Sequence, residues 1–185
     1  ISGGGAAFSS RSAWTLQFWM KFDASTTQVA VMEYGGAAVS VGSGVVDIQD
    51  GKGSSVTISG YPDDTDWHHI AVVSTNINDA VAYIDGEVAS ISLNAHGGFV
   101  GDPSAHFYLG RNLAGDEHFN GKLDELVFWS ITRSQGSIQA DMANGLSMED
   151  PDIGYLEMFY DFNEGTGTTI NDQSTNNYSG ILLNG

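Results

Sequence analysis

Nine residues near the start of the chain, WTLQFWMKF (14–22), alternate so strictly that they constrain the whole fold. Trp14, Leu16, Phe18, Met20 and Phe22 fall on one face of an extended segment, and Thr15, Gln17, Trp19 and Lys21 on the other. A period of two belongs to a pleated strand with one face in a core. The pattern then recurs at intervals of about ten residues. VAVMEY (29–34), AVSVG (38–42), VVDIQ (45–49), SVTISG (55–60), HIAVVS (69–74) and AVAYID (80–85) read as short strands, followed by EVASISL (87–93), HFYLG (106–110), KLDELVFWS (122–130) and GYLEMFYDF (154–162). In the last of these, Leu156, Met158, Tyr160 and Phe162 are placed on one face. Asp85-Gly86 supplies the left-handed turn of a tight hairpin. One segment departs: Ser134 opens a stretch in which Ile138 and Met142 stand four apart, and Gly145 closes it, which predicts a short helix near 134–144. Regular short strands with almost no helix predict an all-β, antiparallel two-sheet β-sandwich.

The 185 residues show no internal linker, so residues 1–185 are expected to form a single domain, and 41% hydrophobic residues are ample for its core. Charge is lopsided: 23 acids against 6 Lys plus Arg give a net −17. Phosphate backbones and anionic membranes demand a cationic surface, so neither nucleic acid nor membrane insertion is expected, and no apolar run reaches the roughly 20 residues of a spanning helix. With no cysteine, disulfides, thiolate metal sites and cysteine nucleophiles are excluded. Many aspartates lie in Gly- and Asn-rich turns, a composition that suits calcium-binding loops and equally serves solubility. The chain opens at Ile1-Ser2-Gly3 without Met, so it is expected to be excised from a larger multidomain protein whose other domains are its neighbours.

Chemistry-bearing residues give no catalytic pattern. In DWHHIAVV (66–73), His68 and His69 are adjacent on a strand and so point to opposite faces, which makes them frame rather than ligand. Glu157 and Asp161 share a face with Phe159 between them, Glu164 has the other parity, and Asp124 and Glu125, being consecutive, are expected to diverge. No nucleophile elbow or His-Glu-x-x-His motif occurs. Three polar loops carry the residue types that sugar hydroxyls need, planar faces and bidentate polar groups. The candidate ligand-binding residues are Tyr61, Asp63 and Asp64 in the first, His96 in the second, and Arg111, Asn112, Asp116 and His118 in the third.

Taken in order, WTLQFWMKF, DTDWHHIAVV, VAYIDGEVAS, FYLGRN, FNGKLDELVFWS, SQGSIQADMANGL and YLEMFYDFNEGTGTTINDQS resemble the laminin-G-like, concanavalin A-like jelly-roll family of secreted bacterial proteins. The resemblance implies that WHHIAV is a framework strand and that Trp19 and Trp129 pack within the sheets. It also implies a structural calcium ion, Ca2+, held by Asp124, Asn163, Glu164, Gly165 and Asp172, tying the first and last strands together. The alternative for these acids is turn capping at Asp124 and an Asx-turn at Asp172. Where relatives carry Asp-x-Ser-Gly-Asn-Gly-Asn, this chain reads Asp172-Gln-Ser-Thr-Asn-Asn-Tyr178, so a glycine-dependent turn is expected to be reshaped. The function implied is a non-catalytic, calcium-stabilised binding module of a secreted or cell-surface protein, recognising a glycan or a surface protein. The alternatives are an architectural or adhesion module without sugar binding and, third, a glycoside hydrolase.

Overall fold

The alternating segments pair as their burial demands. A computed structural model describes residues 2–4, 13–23, 29–34, 37–42, 44–50, 54–62, 64–76, 79–94 and 106–183. In chain order its strands are β1 (Ser2–Gly4), β2 (Trp14–Phe22), β3 (Val29–Tyr34), β4 (Ala37–Gly42), β5 (Val45–Asp50), β6 (Ser55–Ser59), β7 (His68–Asn76) and β8 (Asp79–Ile84). They continue as β9 (Glu87–Val88), β10 (Ser90–Asn94), β11 (His106–Leu109), β12 (Gly121–Trp129), β13 (Leu156–Tyr160), β14 (Thr169–Ile170) and β15 (Gly180–Ile181). Every pairing is antiparallel. One sheet has nine strands in the order β10-β6-β5-β4-β3-β11-β1-β15-β14, the other six in the order β13-β12-β2-β7-β8-β9. The predicted β-sandwich is therefore present.

The inner faces meet in one core. Trp14, Leu16, Phe18, Met20 and Phe22 of β2 pack there with Val39 and Val41 of β4, Val46 and Ile48 of β5, Ile70 and Val72 of β7, and Phe128 of β12. Helix α1 (Gln135–Asn144) lies where the sequence placed it, with Ser134 capping through its hydroxyl to the Ser137 N–H and Gly145 ending it at φ 73°. It packs on the outer face of the six-stranded sheet. Ile138 is buried with Ala71, Val73 and Tyr83. Beside them Val127, Trp129, Leu156 and Phe159 form a further outer-face cluster with Ile131, Leu146 and Ile153 around it. Arg133 fastens this cover: its guanidinium sits over the Trp129 ring at 4.3 Å and bonds Asp150 (2.7 Å), Asp152 (2.7 Å) and Asp141 (3.3 Å). Asp141 in turn accepts from Gln17 of β2 at 3.0 Å.

Three sequence expectations change. EVASISL is two strands: β9 pairs β8 in the six-stranded sheet, and β10 pairs β6 in the other, so the chain crosses between sheets at Ala89. Leu156 does not share a face with Met158 and Tyr160, because a register shift against β12 skips Glu157 and turns Leu156 outward beside Trp129. In β12 the register against β2 breaks between Asp124 and Val127, and Glu125 takes φ 47°. That is a β-bulge, in which one extra residue re-aims its neighbours.

Close packing fixes the start of β12. A Cβ on Gly121 would stand 2.1 Å from the Lys21 carbonyl oxygen and 2.7 Å from the Phe119 ring. Gly121→Ala is expected to cost about 2–4 kcal/mol by urea denaturation, whereas Gly154→Ala, where the same Cβ meets nothing, should change stability by less than about 0.5 kcal/mol.

Candidate functional site

The helix covers only part of the outer face it packs on. Along β2 the outward residues are Thr15, Gln17, Trp19 and Lys21. Thr15 and Gln17 are buried beneath the cover, while Trp19 stands where the cover ends. Register aligns three strands there: Trp19 lies opposite Asp124 of β12 on one side and opposite His69 of β7 on the other. The result is an open groove of about 300 Å³ lined by Trp19, Trp67, Asp124 and Glu125. Trp67 is 40% exposed.

The bulge puts two consecutive acids in one groove. Leu123, Leu126 and Phe128 all face the inner core, so the residues between Leu123 and Leu126 both turn outward, and the expected divergence of Asp124 and Glu125 does not occur. Their environment disfavours charge. Burial raises the Glu125 pKa above the ordinary carboxyl value, and the neighbouring Asp124 adds to it against a hydrogen bond from Trp19. Burial likewise raises Asp124, with Asp161 reinforcing the effect and the Glu125 N–H opposing it. The groove thus combines two indole surfaces with two hydrogen-bond acceptors, neither of which has an ion-pair partner among the described residues. Such a surface suits a polyhydroxylated ligand: apolar sugar faces stack on aromatics and hydroxyls donate to carboxylates.

The two histidines separate as the alternation requires. His69 is buried against Trp19, ring centroids 5.2 Å apart, and burial takes its pKa down to about 4, so it is neutral. His68 faces the other way, between Asp64 and Asp85.

The loop residues proposed from sequence have other work. Tyr61 is buried between the Phe22 and His68 rings and is a core residue; burial, with Asp64 and Asp85 nearby, raises its pKa. Asp64 accepts from the Asp66 N–H and the His68 ring. Asn112 organises its loop by accepting from the N–H groups of Gly115, Asp116 and Glu117 while donating to Asp116. Arg111 lies over the Tyr108 ring and pairs with His118 as an isolated bridge. Arg111, Asn112, Asp116 and His118 therefore build the loop, and the groove is not lined by them. Asp63 and His96 lie outside the described residues.

The five expected calcium ligands do not line one hollow. Asp124 opens into the tryptophan groove, while Glu164 and Gly165 line a separate hollow with Thr166, Gly167 and Ile170. Asp172 is buried and accepts from the N–H groups of Phe159, Ser174 and Tyr178 and from the Ser174 hydroxyl. Those donors fill its oxygens, so Asp172 organises the closing loop, the Asx-type role named as the alternative. Asn177, at φ 57°, supplies a left-handed position of the kind the resemblance assigns to glycine. The N–H of Asn163 bonds to Asp161. Among the described residues no three His, Asp or Glu side chains are arranged to hold a metal ion.

Two sheets, an outer helical cover and an aromatic, acid-lined groove define a β-sandwich binding module. The chain belongs to the concanavalin A-like lectin/glucanases superfamily: the Laminin_G_3 family model matches residues 2–139. Among solved structures it is similar to a Bacteroides ovatus protein provisionally described as carbohydrate-binding (TM-score 0.69, 19% identity, 98% of this chain and 58% of that one). It is also similar to domain 4 of AbnA, an extracellular arabinanase from Geobacillus stearothermophilus, in complex with arabinotriose (TM-score 0.54, 20% identity, 72% and 68%). A third likeness is to botulinum neurotoxin type C, whose cell entry depends on two ganglioside molecules (TM-score 0.56, 11% identity, 76% and 37%). The chain thus spans little more than half the length of the Bacteroides protein. Comparison with curated protein sequences finds no match. None of the helices among the described residues is long and apolar enough to cross a membrane.

Two substitutions check the roles assigned above. Asp172→Ala should cost about 2–4 kcal/mol, because it orphans buried N–H groups, and added calcium should restore none of it. Glu125 has a raised folded pKa, so its charge destabilises the fold once pH passes that value. Glu125→Gln should therefore raise the melting temperature at neutral pH, by roughly 1–3 °C. A fall in melting temperature would contradict the assigned environment.

Proposed function

We propose that this domain is a non-catalytic carbohydrate-recognition module of a secreted or cell-surface protein, and that the groove walled by Trp19 and Trp67 is where the glycan sits. The carrying observation is the bulge in β12, which sets Asp124 and Glu125 together beside the two indoles. Three properties support a saccharide. The indoles offer flat apolar area, the acids accept from hydroxyls, and the volume lies at the small end of ligand sites, sufficient for a few sugar units. The net charge of −17 favours neutral glycans over sialylated or uronic ones. Binding without hydrolysis is supported by the placement of the acids. Glycosidases set two carboxyls on either side of the bond they cleave, whereas Asp124 and Glu125 are consecutive residues of one strand.

Calcium enters this proposal at the 163–165 loop. Glu164 Oε2 is buried with no hydrogen-bond partner among the described residues, while its other oxygen accepts from the Asn171 N–H. An ion held there takes that oxygen and neighbouring carbonyls, chemistry that calcium accepts. Calcium should raise the melting temperature by about 2–4 °C over excess chelator, and Glu164→Gln should abolish the difference. Indifference to chelator would remove the ion from the proposal.

A glycan array with the wild-type domain should show neutral oligosaccharide hits. Trp67→Ala should weaken the best of them at least roughly ten-fold, and it should leave the melting temperature within about 1–2 °C, since the side chain is substantially exposed. A silent array together with concentration-dependent assembly would favour the architectural role, and release of reducing ends would favour a hydrolase.

A further inference from the structure

We propose that His68 is a positioning residue for the groove: its imidazolium clamps the 64–66 turn to the Asp85-Gly86 hairpin and thereby holds Trp67 in place as the groove wall. The inference builds on the groove being the binding site, but the clamp itself is a property of the unliganded protein.

The geometry is specific. His68 Nδ1 lies 2.7 Å from Asp85 Oδ2, and Nε2 lies 3.0 Å from Asp64 Oδ1. Both ring nitrogens face carboxylate oxygens, which are acceptors only, so both must carry hydrogen. A neutral imidazole has one N–H, and only the imidazolium serves both acids. The His68 side chain is 12% exposed, against 47% and 45% for Asp64 and Asp85.

The two ends of the clamp differ in how firmly they are held. Asp85 is fixed independently of His68. Its N–H donates to the His69 carbonyl, its Oδ1 accepts from the His69 N–H, and its backbone makes the hairpin turn at φ 52°. The hairpin is tied in turn to helix α1, since the Gly86 carbonyl accepts from the side-chain amides of Gln135 and Gln139. Asp64 belongs to the turn, where the same Oδ1 that meets His68 also accepts from the Asp66 N–H. Trp67 is thus bracketed: the residue before it and the residue after it both bond to the Asp64 carboxylate. When the imidazolium loses a proton, the shorter bond to Asp85 keeps the remaining N–H. The bond to Asp64 becomes a lone pair facing a carboxylate, and the turn carrying Trp67 is released.

The groups around the ring set the direction of the pH dependence. Burial works against the His68 charge, but the hydrogen bonds to Asp85 and Asp64 and their negative charges outweigh it and raise its pKa above 6.5. The Tyr61 ring packs edge-on at 5.5 Å and is itself held neutral by burial. His69 points to the opposite face and is neutral, and helix α1 meets the hairpin through the Gln135 and Gln139 side-chain amides, its Asp141 being engaged by Arg133 and Gln17. The Asp66 N–H, followed by His68, lowers the Asp64 pKa. A raised histidine pKa contributes stability that is complete below its unfolded value and disappears as pH rises through the folded one. The clamp therefore holds from the carboxylate range upward and opens as pH climbs past the raised His68 value.

Acrylamide quenching of Trp67 fluorescence, isolated as the difference between wild type and Trp67→Phe, measures this without any sugar. Trp14 and Trp129 are fully buried and contribute little to the difference, and a Trp19→Phe background throughout removes the signal of the other indole in the groove. Between about pH 5.5 and pH 9 the Trp67 quenching constant should rise roughly two-fold, in step with titration of the His68 ring followed by NMR. His68→Gln, uncharged throughout, should be quenched at the high level across the range with no step, and Asp64→Asn should lose the step likewise. The proposal is overturned if His68→Gln keeps the wild-type step. It is equally overturned if wild-type quenching stays flat while the His68 ring titrates. A silent glycan array with the step intact would sink the carbohydrate reading alone, and a flat profile beside clear sugar binding would sink the clamp alone.

Discussion

Strand β2 is buried on both faces against unlike partners, and the remainder of the molecule is arranged around that requirement. Its inward residues enter the core between the sheets, while its outward residues Thr15 and Gln17 lie under the helical cover. A polar residue buried on the outer face must be bonded. The Gln17 amide donates to Asp141 of α1, and the Thr15 hydroxyl accepts from the Arg133 N–H and donates to the Ile131 carbonyl. These bonds fix how far the cover extends along the strand. Two residues on, at Trp19, it has ended, and the groove begins there. The site is therefore a boundary: the place where a sheet wide enough for six strands outruns a helix of ten residues.

What makes the boundary chemically useful is one inserted residue. In an uninterrupted β12, Asp124 and Glu125 would face opposite sides, one of them toward an apolar core that could not hold its charge. The bulge resolves this conflict by turning both outward, leaving two partly desolvated carboxyls with no counter-ion among the described residues beside two indoles. Sites commonly keep such locally unfavourable features, and the stability they forgo is recovered by the core around them.

Much of this was legible in the sequence. The strand segments from β2 to β13, the Asp85-Gly86 turn and the helix with its Ser134 cap and Gly145 stop follow from period-two patterning and local turn chemistry, whereas the two- and three-residue strands β1, β14 and β15 are too short to carry a pattern. The opposite facing of His68 and His69 follows from the same alternation. The groove is not legible from alternation alone, because strict parity through β12 sets Asp124 and Glu125 on opposite faces. A signal was present: Leu123, Leu126 and Phe128 cannot all share a face unless an extra residue intervenes between the first two. A register shift of the same kind turns Leu156 outward against the alternation of its segment. The polar loops misled for another reason. Asn112, Asp116 and Asp172 have the side chains that bind ligands, but those side chains satisfy their own loop backbones, and a competition between two acceptable uses of one carboxylate or amide is decided by three-dimensional neighbours rather than by residue type.

Arg133 gives the fold an uneven response to salt. Most of the molecule's negative charge lies at the surface, where mutual repulsion weakens steeply with ionic strength. The cation that anchors the helical cover is held by three aspartates and an indole while only 4% exposed, and charges so enclosed are screened far less. Brine therefore relaxes the strain among the surface acids and leaves the internal rivet almost untouched, so the domain is built to gain rather than lose cohesion as its surroundings grow saline.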